Sequence, residues 1–219
     1  MSPLFWGIEN YISKLVAIRG LDSKKVTTIF SGTVCLLSFG AMLLAKEPVV
    51  NWQFLFFITI FTAITFFISM ILRLNVLAVI DASVLYPFHK IVNLAVLVGM
   101  SLILLGERLS TLQLVGLLAI IPAIYCLYDA PLIKKKMMVA PFIIAAVSAF
   151  LSAVSNYSAD VATQTIKVFT FGFFTYLMGF IFTLALSFFQ REKRKKHGAT
   201  FSGELVFLSV VMGAFNFAG

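Results

Sequence analysis

Long apolar runs joined by short polar segments constrain this chain more than any other feature, because they leave no room for a soluble domain between them. The run from Thr111 to Tyr128 contains no charged residue, and as a helix it is long enough to cross the roughly 30 Å hydrocarbon core of a bilayer. Such runs predict eight membrane-spanning helices, at residues 3–19, 26–45, 53–72, 78–105, 111–128, 138–158, 168–189 and 204–219. Backbone groups in lipid must satisfy their hydrogen bonds internally, so we expect an all-α fold, a polytopic membrane helix bundle.

Composition supports this class. The 219-residue chain is 61% hydrophobic and only 12% charged, and its mean hydropathy of +1.03 lies outside the range of soluble domains. A net charge of +8 would suit nucleic acid, but the basic residues lie in short segments between the runs, where membrane topology explains them. We therefore predict contact with the lipid bilayer and no nucleic-acid partner. Cys35 and Cys126 lie inside apolar runs without a pairing pattern, which indicates small packing residues.

The segment between the fourth and fifth runs has the pattern of a tight helix–helix turn. Gly106 readily adopts the positive φ of a helix C-cap. Ser110, followed three residues later by Gln113, predicts a capping box that satisfies two free N–H groups of the next helix. Glu107 lies between these caps, and we interpret it as part of a structural turn that fixes the helix pair.

This turn carries a family resemblance. The sequence Gly-Glu-Arg-Leu-Ser at 106–110, followed by an apolar helix with Gly116, resembles the turn between the fourth and fifth helices of the drug/metabolite transporter superfamily (EamA-like transporters). Trp6-Gly7, with Lys14 eight residues after the tryptophan, is similar to the first helix of that family.

The resemblance extends to Pro87, which falls where the family breaks the start of its fourth helix, but it is not complete. Pro122 stands where the family usually has glycine, and the expected arginine is missing near residues 26–33. The resemblance implies inverted five-helix repeats around a central cavity. The first repeat would cover residues 1–129 and the second residues 130–219, the latter being incomplete after about three helices.

Polar side chains inside the fourth run are the strongest candidates for substrate binding, because such groups are costly in lipid unless they are paired or face water. Tyr86, Lys90 and Asn93 share one helix face at spacings of four and three. Lys90 lies about 12 residues into the predicted span, or roughly 18 Å at 1.5 Å per residue, near mid-bilayer. Pro87 removes a backbone hydrogen bond just before it and predicts a kink. We expect Lys90 to line a cavity; a purely structural ion pair is the alternative.

The first run offers the complementary charge. Trp6, Glu9 and Ser13 share a face at spacings of three and four. We expect Trp6 and Glu9 to contribute to substrate binding, with a Glu9–Lys90 pair as a secondary expectation; a position of Glu9 near the interface is the alternative. His89 has no second ligand in the pattern and is interpreted as a packing residue. No metal and no cofactor are predicted.

Basic residues are unevenly divided between the two sides of the predicted bundle. The first, third, fifth and seventh loops carry twelve cations: Arg19, Lys24, Lys25, Arg73, Lys134, Lys135, Lys136, Arg191, Lys193, Arg194, Lys195 and Lys196. The opposite loops carry three: Lys46, Arg108 and Lys167. Cytoplasmic loops are enriched in Lys and Arg, so this count places the twelve-cation side in the cytoplasm. The resemblance implies the reverse, with the amino terminus inside, so the two criteria disagree.

These features together predict a secondary transporter that moves a small organic metabolite or drug across the plasma membrane by alternating access, with protons as the candidate coupling ion. A non-transporting integral-membrane scaffold or partner subunit is the alternative. We do not expect an enzyme, because the sequence offers only His89 and His197 and no His/Asp/Glu cluster typical of a metal or nucleophile site. Substrate, direction and oligomeric state are left open.

Overall fold

Seven of the eight apolar runs form helices in the computed structural model, which describes residues 3–49, 51–104, 139–191 and 203–218 together with a few positions between 110 and 122. The helices are α1 Pro3–Ile18, α2 Ser23–Ala45, α3 Trp52–Leu77, α4 Ala82–Leu104, α5 Val139–Thr163, α6 Val168–Arg191 and α7 Gly203–Ala218. No strand occurs among these residues, so the all-helical prediction is confirmed for this part of the chain. The predicted span 111–128 lies mostly outside the described residues.

Five of the helices are long and apolar enough to cross a membrane: Ser23–Ala45, Trp52–Leu77, Ala82–Ile103, Val139–Thr163 and Val168–Phe188. Helices α1 and α7 are shorter, with 16 residues each. Large apolar side chains such as Leu44, Phe57 and Ile103 point outward, which suits a surface solvated by lipid chains. The chain is a multi-pass membrane protein.

Helix α3 lies at the centre of the bundle. It packs against α5, α6 and α1, while α2 packs against α6 and α7, and α1 against α7. Fully buried side chains such as Phe30, Phe67 and Met212 fill the space between these helices. Helix association in lipid depends on close packing rather than on escape from water. Gly179 illustrates this, because a Cβ atom at that position would fall within the ring of Phe67.

Polar contacts tie each of the turns 18–23 and 77–82 to a neighbouring helix, and we call this side of the bundle the basic end. The Lys14 ammonium donates to the carbonyl oxygens of Leu77 at 3.0 Å and Ile80 at 3.4 Å, which closes the C-terminus of α3. Arg19 forms an ion pair with Glu204 in the first turn of α7. These contacts join α1 to both α3 and α7.

The opposite end of the bundle is closed by a cap between helices. The carboxylate of Glu47, just after α2, accepts hydrogen bonds from the backbone N–H of Thr170 at 2.8 Å and from its hydroxyl at 3.1 Å. The first N–H groups of a helix have no partner within it, so an acid at this position completes the first turn of α6. Residues far apart in the chain thus fix the α2–α6 contact.

The structure corrects several predicted helix boundaries. Helix α5 continues to Thr163 instead of ending at residue 158, and α2 begins at Ser23 instead of residue 26. Helix α3 continues to Leu77 instead of ending at residue 72, because Leu74, Val76 and Leu77 are buried. Helix α4 begins at Ala82 instead of residue 78. Arg73 therefore lies inside α3, and Lys24 and Lys25 lie in the first turn of α2, although all three were counted as loop cations.

Candidate functional site

A polar relay of one buried and three half-buried residues joins four helices, and we use the name relay for Glu9, Arg73, Tyr176 and Asn216. The Tyr176 hydroxyl donates to Asn216 Oδ1 at 2.8 Å. The Asn216 amide then donates to Glu9 Oε2 at 3.1 Å. The other carboxylate oxygen, Glu9 Oε1, lies 3.7 Å from Arg73 Nη2. The tyrosine fixes the orientation of the amide, so that its NH₂ group faces the carboxylate.

Helical periodicity explains why Arg73 points into the bundle. Met70 and Leu77, three residues before and four residues after it, are 2% and 0% exposed. Residues at these spacings lie on one helix face, so the packing of α3 carries the guanidinium inward. Its side chain is 15% exposed.

The same reasoning applies to Glu9 on α1. Ser13 and Val16 follow it at spacings of four and three and are fully buried or nearly so. The Glu9 side chain is 6% exposed. On α7, Asn216 lies four residues after buried Met212. Each member of the charged pair is thus placed by its own apolar helix face.

The Glu9–Arg73 pair balances two charges in a region where a single charge costs about 2.5–3.5 kcal/mol on insertion scales. At 3.7 Å, however, the contact exceeds hydrogen-bond length. Attraction between the charges offsets their burial, but the donors of the guanidinium are left unused by the carboxylate. The pair is balanced in charge and incomplete in hydrogen bonding.

Unpartnered polar atoms cluster in sequence around the relay. Among the described residues, three enclosed side-chain atoms have no hydrogen-bond partner: Arg73 Nε, Asn10 Oδ1 and Thr175 Oγ1. Asn10 follows Glu9, and Thr175 precedes Tyr176. Buried polar groups are normally paired, so Arg73, the one relay residue among the three, has unused capacity for water or a polar ligand.

The predicted site residue Tyr86 lies beside the relay. Its hydroxyl donates to the backbone carbonyl of Asn10 at 3.0 Å, which links α4 to α1. The structure thus brings two predicted residues, Tyr86 and Glu9, to the same region. Trp6 lies in α1 as well.

Asn93 and His89 face α5. The Asn93 amide donates to the carbonyl of Ala149 at 3.4 Å, and His89 Nε2 lies 3.3 Å from Ser148 Oγ. Both side chains are buried. The packing interpretation of His89 is confirmed, and Asn93 has the same kind of structural contact.

Lys90 lies apart from these residues. It is exposed, although its neighbour His89 is buried, because successive residues of a helix face different directions. Helix α4 begins at Ala82, which puts Lys90 about 12 Å along the helix and not 18 Å. The structure pairs Glu9 with Arg73, so the expected Glu9–Lys90 pair is replaced. The cavity role of Lys90 stays a prediction.

The remaining predicted residues concern turns and bends. Pro87 lies inside α4, which continues on both sides of it. Ser110 is exposed. The other turn residues lie outside the described part of the chain: Gly106, Glu107 and Gln113.

Three of the four relay residues were not predicted as site residues from the sequence: Arg73, Tyr176 and Asn216. Arg73 was assigned to a loop because a charge within an apolar run resembles a boundary. Its spacing from Met70 and Leu77 is a signal that favours an inward position. Tyr176 and Asn216 have no comparable signal, because their importance comes from contacts between distant helices.

No protein-family model matches the chain, and no curated protein matches it. The geometry of the relay is therefore the main basis for assigning a function.

Proposed function

We propose that the chain is a secondary transporter of the EamA-like type, which moves a small organic metabolite or drug across the plasma membrane by alternating access. The observation that carries this proposal is the relay, a charged and incompletely bonded site enclosed within a membrane bundle. Ionisable residues inside a membrane are rare and costly, and they mark substrate or ion pathways and proton relays.

The depth of the relay supports the proposal. Glu9 lies nine residues before the end of α1 at Ile18, or about 14 Å from the basic end. Tyr176 lies eight residues after the start of α6 at Val168, or about 12 Å from the opposite end. Both distances fall near half the thickness of a bilayer, where transporters with repeated halves bind their substrates. Arg73 lies four residues before the end of α3 at Leu77, or about 6 Å from the basic end, and its side chain extends to Glu9.

The pairing of helices supports the inverted repeat. If α1, α2 and α3 correspond to α5, α6 and α7, the contact of α3 with α5 exchanges with that of α1 with α7. The contact of α2 with α7 exchanges with that of α3 with α6, and the α2–α6 contact maps onto itself. These contacts follow the pattern expected of a pseudo-two-fold axis between halves, whereas the α1–α3 and α2–α3 contacts have no counterpart of similar extent among the described residues. The relay draws two residues from each half.

The chemistry of the relay suggests proton coupling. Protonation of Glu9 removes the negative charge that balances Arg73, so it changes the stability of the closed arrangement of α1 against α3. Lys90, Tyr86, Asn93 and Trp6 remain proposed members of the substrate pathway. Lys90, on α4, would supply a second cation in addition to Arg73.

Transport by the reconstituted protein tests the proposal. We expect liposomes containing the full chain to take up or release at least one member of a metabolite panel under an imposed pH gradient. Arg73→Gln should reduce that transport by at least tenfold. Arg19→Gln serves as the matched control, because it neutralises an arginine at the basic end and outside the relay.

The alternative of a non-transporting scaffold predicts different results. No panel member would cross the membrane, and neutralising Glu9 and Arg73 together would leave assembly with partner proteins intact. That combination of results would replace transport with the scaffold function.

A further inference from the structure

We infer that Arg73 is the anchor for the carboxylate group of a small organic anion with an apolar body. This inference rests on the proposed transport function and names the class of its substrate. The site would be the relay region, with the ligand held between α1, α3, α6 and α7.

Arg73 has hydrogen-bond donors that the described residues leave unused. A guanidinium carries five N–H donors, and no hydrogen bond to this one is present in the described part of the chain. Its Nε atom is fully enclosed. A buried donor left without a partner is unfavourable, so the enclosed Nε leaves the site able to accept an additional acceptor.

The shape of the Arg73 guanidinium also favours a carboxylate ligand. The fork of a guanidinium matches both oxygens of a carboxylate, which a lysine ammonium cannot do. Glu9 does not fill this fork, because one of its oxygens accepts from Asn216 and the other stays 3.7 Å from Arg73. A ligand carboxylate can therefore bind to Arg73 without breaking the contact between Glu9 and Asn216.

Aromatic side chains pack around Tyr176 of the relay. The ring of Tyr176 packs edge-on against Phe30, Phe66 and Phe67, with centroid distances of 6.1, 6.0 and 5.8 Å. Ligand sites are mostly apolar with a few polar groups that fix orientation. A relay that combines the Arg73 cation with the aromatic rings around Tyr176 suits an organic acid better than an inorganic anion.

Charge balance adds a condition. Glu9 and Arg73 together are neutral, so a bound carboxylate would leave one excess negative charge. Glu9 faces Arg73 of α3, Asn216 of α7 and the Tyr176 region of α6. The Tyr86 hydroxyl of α4 donates to the backbone carbonyl of Asn10, the residue after Glu9. Arg73 is the cation among these groups, so we expect neutralisation of Glu9 to strengthen carboxylate binding.

Chemical protection of Arg73 tests the inference. The full-length protein in nanodiscs would be treated with phenylglyoxal, which modifies water-accessible guanidinium groups, and the modified residues identified by mass spectrometry. Acid–amide pairs, phenylacetate with phenylacetamide and acetate with acetamide, are the probes. We expect Arg73 to be modified, and phenylacetate at ten times its Kd to slow the reaction about tenfold. Phenylacetamide should have no such effect.

Arg19 is the internal control in the same sample. It is half exposed and paired with Glu204 at the basic end, so its modification should not respond to any probe. Glu9→Gln should increase protection by phenylacetate at a fixed concentration. If that variant does not fold, as judged by size-exclusion chromatography, the wild-type measurement still decides.

Two results would overturn the inference. Failure of phenylglyoxal to reach Arg73 would show that no aqueous path exists. Equal protection by acid and amide, or none by either acid, would exclude a carboxylate anchor. The assay does not measure transport. A transporter of neutral substrates would therefore show no protection of Arg73 by the acids and would still transport its substrates. A protein that fails every transport assay could still show the protection.

Discussion

Two buried polar regions in the bundle differ in how completely their groups are bonded. Between α3, α4 and α5 lies a hydroxyl seam, a name we give to Thr62, Ser69, Ser148 and Ser158. Ser69 donates to the carbonyl of Ser148 at 2.8 Å, and Ser148 donates to the carbonyl of Ser69 at 2.9 Å. Thr62 and Ser158 contact each other at 2.8 Å. The seam is neutral and reciprocal.

The relay has the opposite character. It carries two full charges, and its guanidinium has no hydrogen bond within the described residues. A satisfied polar network rigidifies a core, whereas an incomplete one leaves buried groups unsatisfied. The contrast indicates that the seam holds helices together, and the unused donor of the relay agrees with the proposal that it receives a ligand.

The largest expected effect comes from breaking the charged pair of the relay. Arg73→Gln leaves Glu9 buried without its cation and should lower the free energy of unfolding by about 3–5 kcal/mol. Glu9→Gln should also destabilise, and the double variant should be more stable than either single one. Thermal unfolding in detergent measures all four proteins. Additive losses would mean that the two charges do not interact.

A smaller effect is expected from the packing beneath the relay. Gly179→Ala would drive a methyl group into the ring of Phe67, which in turn contacts Tyr176. Overpacking of this kind costs about 1–3 kcal/mol. Gly172→Ala is the matched control on the same helix, because its Cβ would lie at an ordinary 3.5 Å from Ser38 Oγ. Equal melting temperatures for the two variants would contradict the tight contact.

The seam should tolerate change better than the relay does. Ser148→Ala removes hydroxyl contacts to Ser69 and His89, and hydrogen bonds between helices in membranes average about 0.6 kcal/mol. We expect a loss of that order with transport unchanged. Ser152→Ala, one turn further along α5, is the comparison. A loss of transport in Ser148→Ala without a matching loss of stability would move the functional site to the seam.

The seam and the relay also show how far the sequence leads. Uncharged runs are sufficient to predict the helices, because a bilayer permits few other backbone structures. The spacing of the serine hydroxyls of α5 can also be read from one segment of the sequence. The relay depends on pairs such as Asn216 and Glu9, which are 207 residues apart. Periodicity within a run cannot specify which distant helix supplies a partner. Arg73 was misplaced for this reason, since its charge indicates a boundary until Glu9 is found beside it.

Lys90 belongs to neither region, and its replacement should have the smallest effect on stability. The side chain is exposed, so Lys90→Met should change the free energy of unfolding by no more than about 0.5 kcal/mol, as for most surface substitutions. Methionine keeps the length of the side chain and removes its charge.

Transport gives the decisive measurement for this residue. If Lys90 lines the substrate pathway, Lys90→Met should abolish or redirect transport at nearly normal stability, and Lys90→Arg should not simply restore it, because a planar fork differs from an ammonium point charge. Lys46→Met at the opposite end is the control for loss of a cation. Wild-type transport of every substrate by Lys90→Met would remove Lys90 from the pathway and leave Arg73 as the proposed cationic site. A loss restricted to anionic substrates in both Lys90→Met and Arg73→Gln would instead place two cations on one route, the first on α4 and the second in the relay.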